Sequence, residues 1–151
     1  MLRMLFVLCF FVFISCNDKN YNTEYIKNAE GINNKELYKE YIKKYSDKEL
    51  LTFLEGDLNG DNINDLIIIY KESEYSNKLI GIYKDSNKIL MTTPIPAPIE
   101  NYTIKFYNID EKVPNEILVS GKKGASIGFS VYRLENGELI SLFENGMEKC
   151  C

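Results

Sequence analysis

The sequence predicts an α+β fold that is mostly β, with an N-terminal helix packed on antiparallel strands. Three observations point there. Leu37, Tyr38, Tyr41, Ile42 and Tyr45, then Leu50, Leu51 and Leu54, recur at helical spacing over residues 35–54. Beyond Gly56 the texture changes to short β-branched and aromatic runs separated by turn residues. The segment from Gly56 to Ile67 also lines up, at an offset of 51, with that from Tyr107 to Leu118, so one β unit occurs in two degenerate copies.

Each element follows from local chemistry. Asn34 is placed to cap the helix and Ser46-Asp47 interrupts it, giving one helix or two short ones. Strands are expected at 66–70, 78–83, 88–92, 102–107, 116–120, 129–134 and 139–144. Asp85-Ser86-Asn87-Lys88 and Glu135-Asn136-Gly137-Glu138 supply hairpin turns, Asn-Gly being the stronger signal. Pro94, Pro96 and Pro98 make residues 92–99 an extended connector, because each proline removes a ladder donor. The repeats run over about 53–100 and 104–146; two copies bury too little alone, so they join the helix in one domain, 35–146.

The ends read differently. Residues 4–15 carry no charge, follow Arg3 and end in Ser15 before Cys16, which is the anatomy of a secretory signal and is too short for a membrane span. A cysteine after a small residue at that point looks like a lipobox, so residues 1–16 are expected to be a lipoprotein signal peptide with Cys16 the lipidated residue. Residues 17–34, rich in Asn and Lys, form a tether. The protein is then expected on the extracytoplasmic side of the cell envelope, held to membrane lipid through Cys16.

Composition excludes whole classes. The chain has no histidine, which removes imidazole metal sites and Ser-His-Asp or Cys-His catalysis. Its 18 basic and 22 acidic residues give a net charge of −4, and loss of Arg3 with the signal leaves 17 against 22, or −5. A basic nucleic-acid footprint is absent. Cys9 leaves with the signal and Cys16 becomes a thioether, so Cys150 and Cys151 remain as thiols. Adjacent Cα atoms lie about 3.8 Å apart, below the usual disulfide range of about 4.4–6.8 Å, so a bond between the two would be strained.

Two motifs carry chemistry. Asp57-Leu58-Asn59-Gly60-Asp61-Asn62-Ile63-Asn64-Asp65 sets oxygen donors at Asp57, Asn59, Asp61 and Asp65, with the Ile63 carbonyl between, as a hard cation requires. It resembles the calcium loops of FG-GAP and related β-propeller repeats. It lacks the EF-hand glycine and the bidentate glutamate, Asn62 and Ile68 standing there; the metal-free alternative is an Asx-rich turn. The second copy, with Glu111, Lys112 and Pro114 inserted, has lost the spacing and is expected to be an empty turn. Gly121-Lys122-Lys123-Gly124-Ala125-Ser126-Ile127-Gly128 runs from strand to strand, so it reads as a mobile hairpin connection and not as a phosphate loop. The second motif is Glu148-Lys149-Cys150-Cys151, expected as a flexible tail over 147–151 whose vicinal thiolates chelate a soft ion such as mercuric ion.

The lipobox at Cys16, the Asp57-Leu58-Asn59-Gly60-Asp61 segment before a strand, and above all Cys150-Cys151 resemble the Cys-Cys-COOH (seleno)protein family (SaoC), lipoproteins of the selenocysteine-assisted organometallic system. The resemblance implies a role in handling mercury or organomercury outside the membrane, with an ABC-type transporter, thioredoxin-like proteins and an organomercurial-lyase-like protein as partners. Members may carry selenocysteine at a terminal position; both positions here are Cys. The expected function is a metal-binding accessory protein, a carrier and not a catalyst, that captures a thiophilic metal ion or organometal through Cys150 and Cys151 and hands it to a transporter. The alternatives are a dithiol-disulfide redox partner of a thioredoxin-like protein, or an FG-GAP-like binding module stabilised by calcium.

Overall fold

The structure is a computed structural model in which residues 29–151 are described; the signal segment, Cys16 and the tether up to residue 28 lie outside them, whereas residues 29–34, expected as tether, join the domain, with Ala29 and Ile32 buried in its core. Helix α1 (Lys35–Lys44) starts where expected: the Asn34 side chain accepts the Leu37 N–H at 3.2 Å, Glu36 sits in the first turn, and Lys43 and Lys44 face the carbonyl end. It is shorter than the sequence predicts. Residues 49–54, expected as helix, fall in strand β1 (Glu49–Gly56). The misreading has a physical cause. A bulge between Leu50 and Thr52 breaks the period of two, so Leu50 and Phe53 reach one face while Leu51 and Leu54 reach the other, which imitates helical spacing.

From there the chain forms β2 (Asp65–Ser73), β3 (Ser76–Asp85), β4 (Lys88–Met91), β5 (Ile95–Ala97), β6 (Glu100–Tyr107), β7 (Glu116–Lys123), β8 (Ser126–Glu135) and β9 (Glu138–Asn145), then a helical turn, α2 (Met147–Cys150). Among the described residues these make two antiparallel sheets. The first has the order β1-β2-β3-β4 and the second β6-β7-β8-β9. The proline connector contributes an element the sequence did not predict: β5 pairs with β3, with Pro96 opposite Lys78. Here Pro can sit in a strand because that strand lies at the sheet's margin.

The molecule has three layers. On one side of the first sheet, Leu66, Ile68, Tyr70, Ile80 and Ile82 bury against Leu37, Tyr41 and Tyr45 of the α1 segment. On its other side Ile67, Ile69 and Leu79 pack against Ile117, Val119 and Tyr132 of the second sheet. The repeat explains the stacking. Leu66 corresponds to Ile117 at the offset of 51, so the face that meets the helix in the first sheet meets a sheet in the second. The two units therefore stack face to back, in the same orientation.

Candidate functional site

The Asp57 loop joins β1 to β2 and closes on its own hydrogen bonds. Asp57 Oδ1 accepts from the N–H groups of Gly60 at 2.7 Å and Asp61 at 3.1 Å, and its Oδ2 from Asn62 at 2.9 Å. Asn59 Oδ1 accepts from Asp61 N, and Asp61 Oδ1 from Ile63 N at 2.8 Å. Asn59 Nδ2 also donates to the Lys84 carbonyl at 2.7 Å, which ties the loop to β3. Gly60 and Asn62 adopt φ of 85° and 65°, the left-handed conformations that let the chain curl round the Asp57 carboxylate. Asp65 stands apart from this ring. It is buried, and takes Leu58 N at 2.9 Å and Lys84 N at 3.4 Å. The donors foreseen for calcium are thus turned onto backbone N–H groups, and Ile63 has an exposed side chain. Among the described residues no three His, Cys, Asp or Glu side chains are grouped to hold a metal ion. Its own hydrogen bonds give the loop the form of an Asx-rich turn.

The counterpart loop between β6 and β7 is held by an ion pair. Glu116 is fully buried, accepts the Ile109 N–H at 2.8 Å, and is met by Arg133, whose Nε donates to Glu116 Oε1 at 2.9 Å and whose Nη2 reaches Asp110 at 2.6 Å. Burial works to raise the Glu116 pKa, but the Ile109 N–H and the Arg133 guanidinium bring it below the ordinary carboxylate value. The two loops touch, since a Cβ on Gly60 would lie 3.6 Å from Val113 and Pro114.

At the other end the structure corrects the expectation of a flexible tail. Residues 147–150 form α2, which packs on β8 and β7; Ile99 N donates to the Cys150 carbonyl at 3.0 Å, and Cys151 N to the Met147 carbonyl at 3.1 Å. Cys150 is fully buried and Cys151 partly so. Two glycines make the seat. Gly146, at φ 70°, turns the chain off β9. Gly128 lies so close that a Cβ there would meet Cys150 Sγ at 2.6 Å and the Gly146 carbonyl carbon at 2.7 Å. The glycine loop that resembles a phosphate site is therefore a hairpin paired through Gly121 and Gly128, and its last glycine receives the cysteine.

The seated turn gathers sulfur. Cys150 Sγ lies 3.8 Å from Cys151 Sγ and 3.7 Å from Met147 Sδ, and Cys151 Sγ lies 4.0 Å from Met147 Sδ. The two thiols are not bonded to each other. A groove of about 260 Å³ lined by Pro96, Tyr132, Glu144, Met147, Glu148 and Cys151 reaches Cys151, with Cys150 buried behind it. Burial, then the neighbouring Cys150 and Glu144, push the Cys151 thiol up to about 12, with Lys123 opposing. At neutral pH Cys151 is accordingly a thiol, and a metal must displace its proton. The cysteine pair was visible in the sequence; Met147 was overlooked, although its spacing to Cys150 and Cys151 is i, i+3, i+4, one face of a helical turn.

Comparison with protein-family models, with curated proteins and with solved structures finds no match to this chain. The fold and the sulfur site stand on their own geometry.

Proposed function

We propose that this chain is a lipid-anchored, extracytoplasmic accessory protein that holds a thiophilic metal ion or organometal at Cys150 and Cys151 and passes it to a transporter. The observation that carries the reading is the pair of unbonded sulfurs 3.8 Å apart, with Cys151 lining a groove and Cys150 buried next to it. Soft thiolates select soft ions, and each bond formed releases a proton. The carboxylates of Glu144 and Glu148 at the groove draw cations toward the sulfurs without competing for a soft one. Because α2 is seated, capture does not rely on a loose tip closing round the ion, and little side-chain entropy opposes binding. Membrane attachment through Cys16 and delivery to an ABC-type transporter follow from the lipobox and the family resemblance.

The test is a mercuric-ion titration of the reduced full chain with Cys9 and Cys16 replaced by Ser. One ion per chain is expected, with binding abolished in the added Cys150→Ser, Cys151→Ser variant. Stoichiometric binding that persists in that variant would refute the reading.

A further inference from the structure

We propose that Met147 is the third ligand of the site and that the ion it suits is a monovalent soft metal held by three sulfurs, copper(I) in the first instance. This rests on the reading that Cys150 and Cys151 take a metal, and goes beyond it in naming a ligand and an ion class. The geometry decides. A point equidistant from sulfurs separated by 3.7, 3.8 and 4.0 Å lies about 2.2 Å from each, against about 2.3 Å for a metal–thiolate bond. An ion placed there lies in the plane of the three sulfurs.

Fourfold coordination fits less well. Tetrahedral zinc wants four donors of thiolate, imidazole or carboxylate type, and among the described residues no three such groups are gathered. A thioether is a neutral soft donor, of most use to copper(I). Met147 is buried with Cys150, so its sulfur is held toward the thiols and not released to solvent.

Local structure fixes the arrangement. The helical turn projects residues 147, 150 and 151 to one side, Gly128 and Gly146 let that side lie against β8, and the Ile99 N–H holds the Cys150 carbonyl. The groove lined by Glu144 and Glu148 gives the ion a path to Cys151 and Met147. Binding is a ligand exchange: copper arrives as Cu(I) from a small-molecule thiol complex, two copper–thiolate bonds form as the two protons pass to water or to the departing ligand, and the thioether adds one dative bond. No electron is transferred.

The experiment uses the reduced full chain with Cys9 and Cys16 replaced by Ser, under anaerobic conditions, with Cu(I) buffered by bicinchoninate. Met147→Leu keeps the volume and removes the sulfur. It is expected to lower Cu(I) affinity by about tenfold or more. X-ray absorption at the copper edge is expected to show three sulfur neighbours, one replaced by selenium when the methionines are selenomethionine. That last readout needs no substitution, so it stands even if Met147→Leu unfolds. Unchanged Cu(I) affinity in Met147→Leu, a copper shell without selenium, or undiminished Cu(I) affinity in Cys150→Ser, Cys151→Ser overturns the inference. The thiol reading falls separately, if mercuric binding persists in Cys150→Ser, Cys151→Ser.

Discussion

Asp65 and Glu116 stand at equivalent positions of the two repeats, and each accepts the backbone N–H seven residues before it, Leu58 at 2.9 Å and Ile109 at 2.8 Å. Their electrostatics diverge. One step beyond the Leu66–Ile82 and Ile117–Tyr132 pairs, the cross-strand neighbour of Asp65 is Tyr83 and that of Glu116 is Arg133. The Lys84 ammonium goes to Glu36 at 2.5 Å, so Lys84 meets Asp65 through its backbone N–H and not its charge. Burial accordingly pushes Asp65 up to about 6, the N–H groups of Leu58 and Lys84 opposing and Asp61 adding to the rise.

The two carboxyls should therefore tilt stability in opposite directions with pH. A folded-state value above the ordinary one means that the native protein binds the Asp65 proton more tightly, so this contribution is complete below about 4 and is lost as pH rises through about 6. Glu116, depressed in the folded state, contributes above its ordinary value of 4.5 and loses that contribution as pH falls below it. Melting temperatures of wild type, Asp65→Asn and Glu116→Gln over this range read the effect. The wild-type advantage over Asp65→Asn is expected to shrink from pH 4 to pH 7, and that over Glu116→Gln to shrink on acidification. Parallel profiles for all three proteins would contradict it.

Arg133 is the partner that keeps Glu116 charged in a buried place. Truncating it leaves a buried carboxylate without its cation, and breaking a buried pair is more damaging than never having had one. Arg133→Leu is expected to lower the melting temperature by roughly 5 °C or more. Adding Glu116→Gln to it should restore part of the loss. A double variant no more stable than Arg133→Leu would show that the pair does not act as a unit.

Much of the β architecture was legible because its determinants are local. Runs such as Leu66-Ile67-Ile68-Ile69 and Phe129-Ser130-Val131-Tyr132 declare strands by composition, and both hairpin turns fall where their Asn and Gly residues put them. The misses depend on partners far along the chain. Only pairing with β2 reveals that Leu50 and Leu51 flank a bulge. Nothing near Cys150 announces that Gly128 and Ile99 will receive it, so a segment of charged and sulfur-bearing residues reads as a tail. The equivalence of Asp65 and Glu116 could be read from the repeat; the cation that separates them could not, because Arg133 lies on another strand.

Asp57 holds three backbone N–H groups with one carboxylate, so the loop should depend on it whether or not any metal is present. Asp57→Ala is expected to cost about 2 kcal/mol in denaturant unfolding measured with a chelator in the buffer. Asp57→Asn, which keeps one carbonyl oxygen to accept, should cost less. If Asp57→Ala is silent in chelator, those hydrogen bonds do not support the loop.

The seat of α2 makes a sharp prediction at Gly128. A methyl group there would overlap Cys150 Sγ and the Gly146 carbonyl, both on the turn that follows β9. The sheet is the stiffer partner, since β8 pairs along its length with both β7 and β9, so the turn should be the part that yields. Gly128→Ala is thus expected to detach α2 while leaving the sandwich folded, with far-ultraviolet circular dichroism unchanged. Thiol labelling with a disulfide reagent, in the background lacking Cys9 and Cys16, measures this directly. In the parent Cys151 should react before the buried Cys150, whereas in Gly128→Ala both should react together, Cys150 faster by about tenfold or more. Labelling of Cys150 that stays slow in the variant would mean that the seat does not depend on the missing side chain.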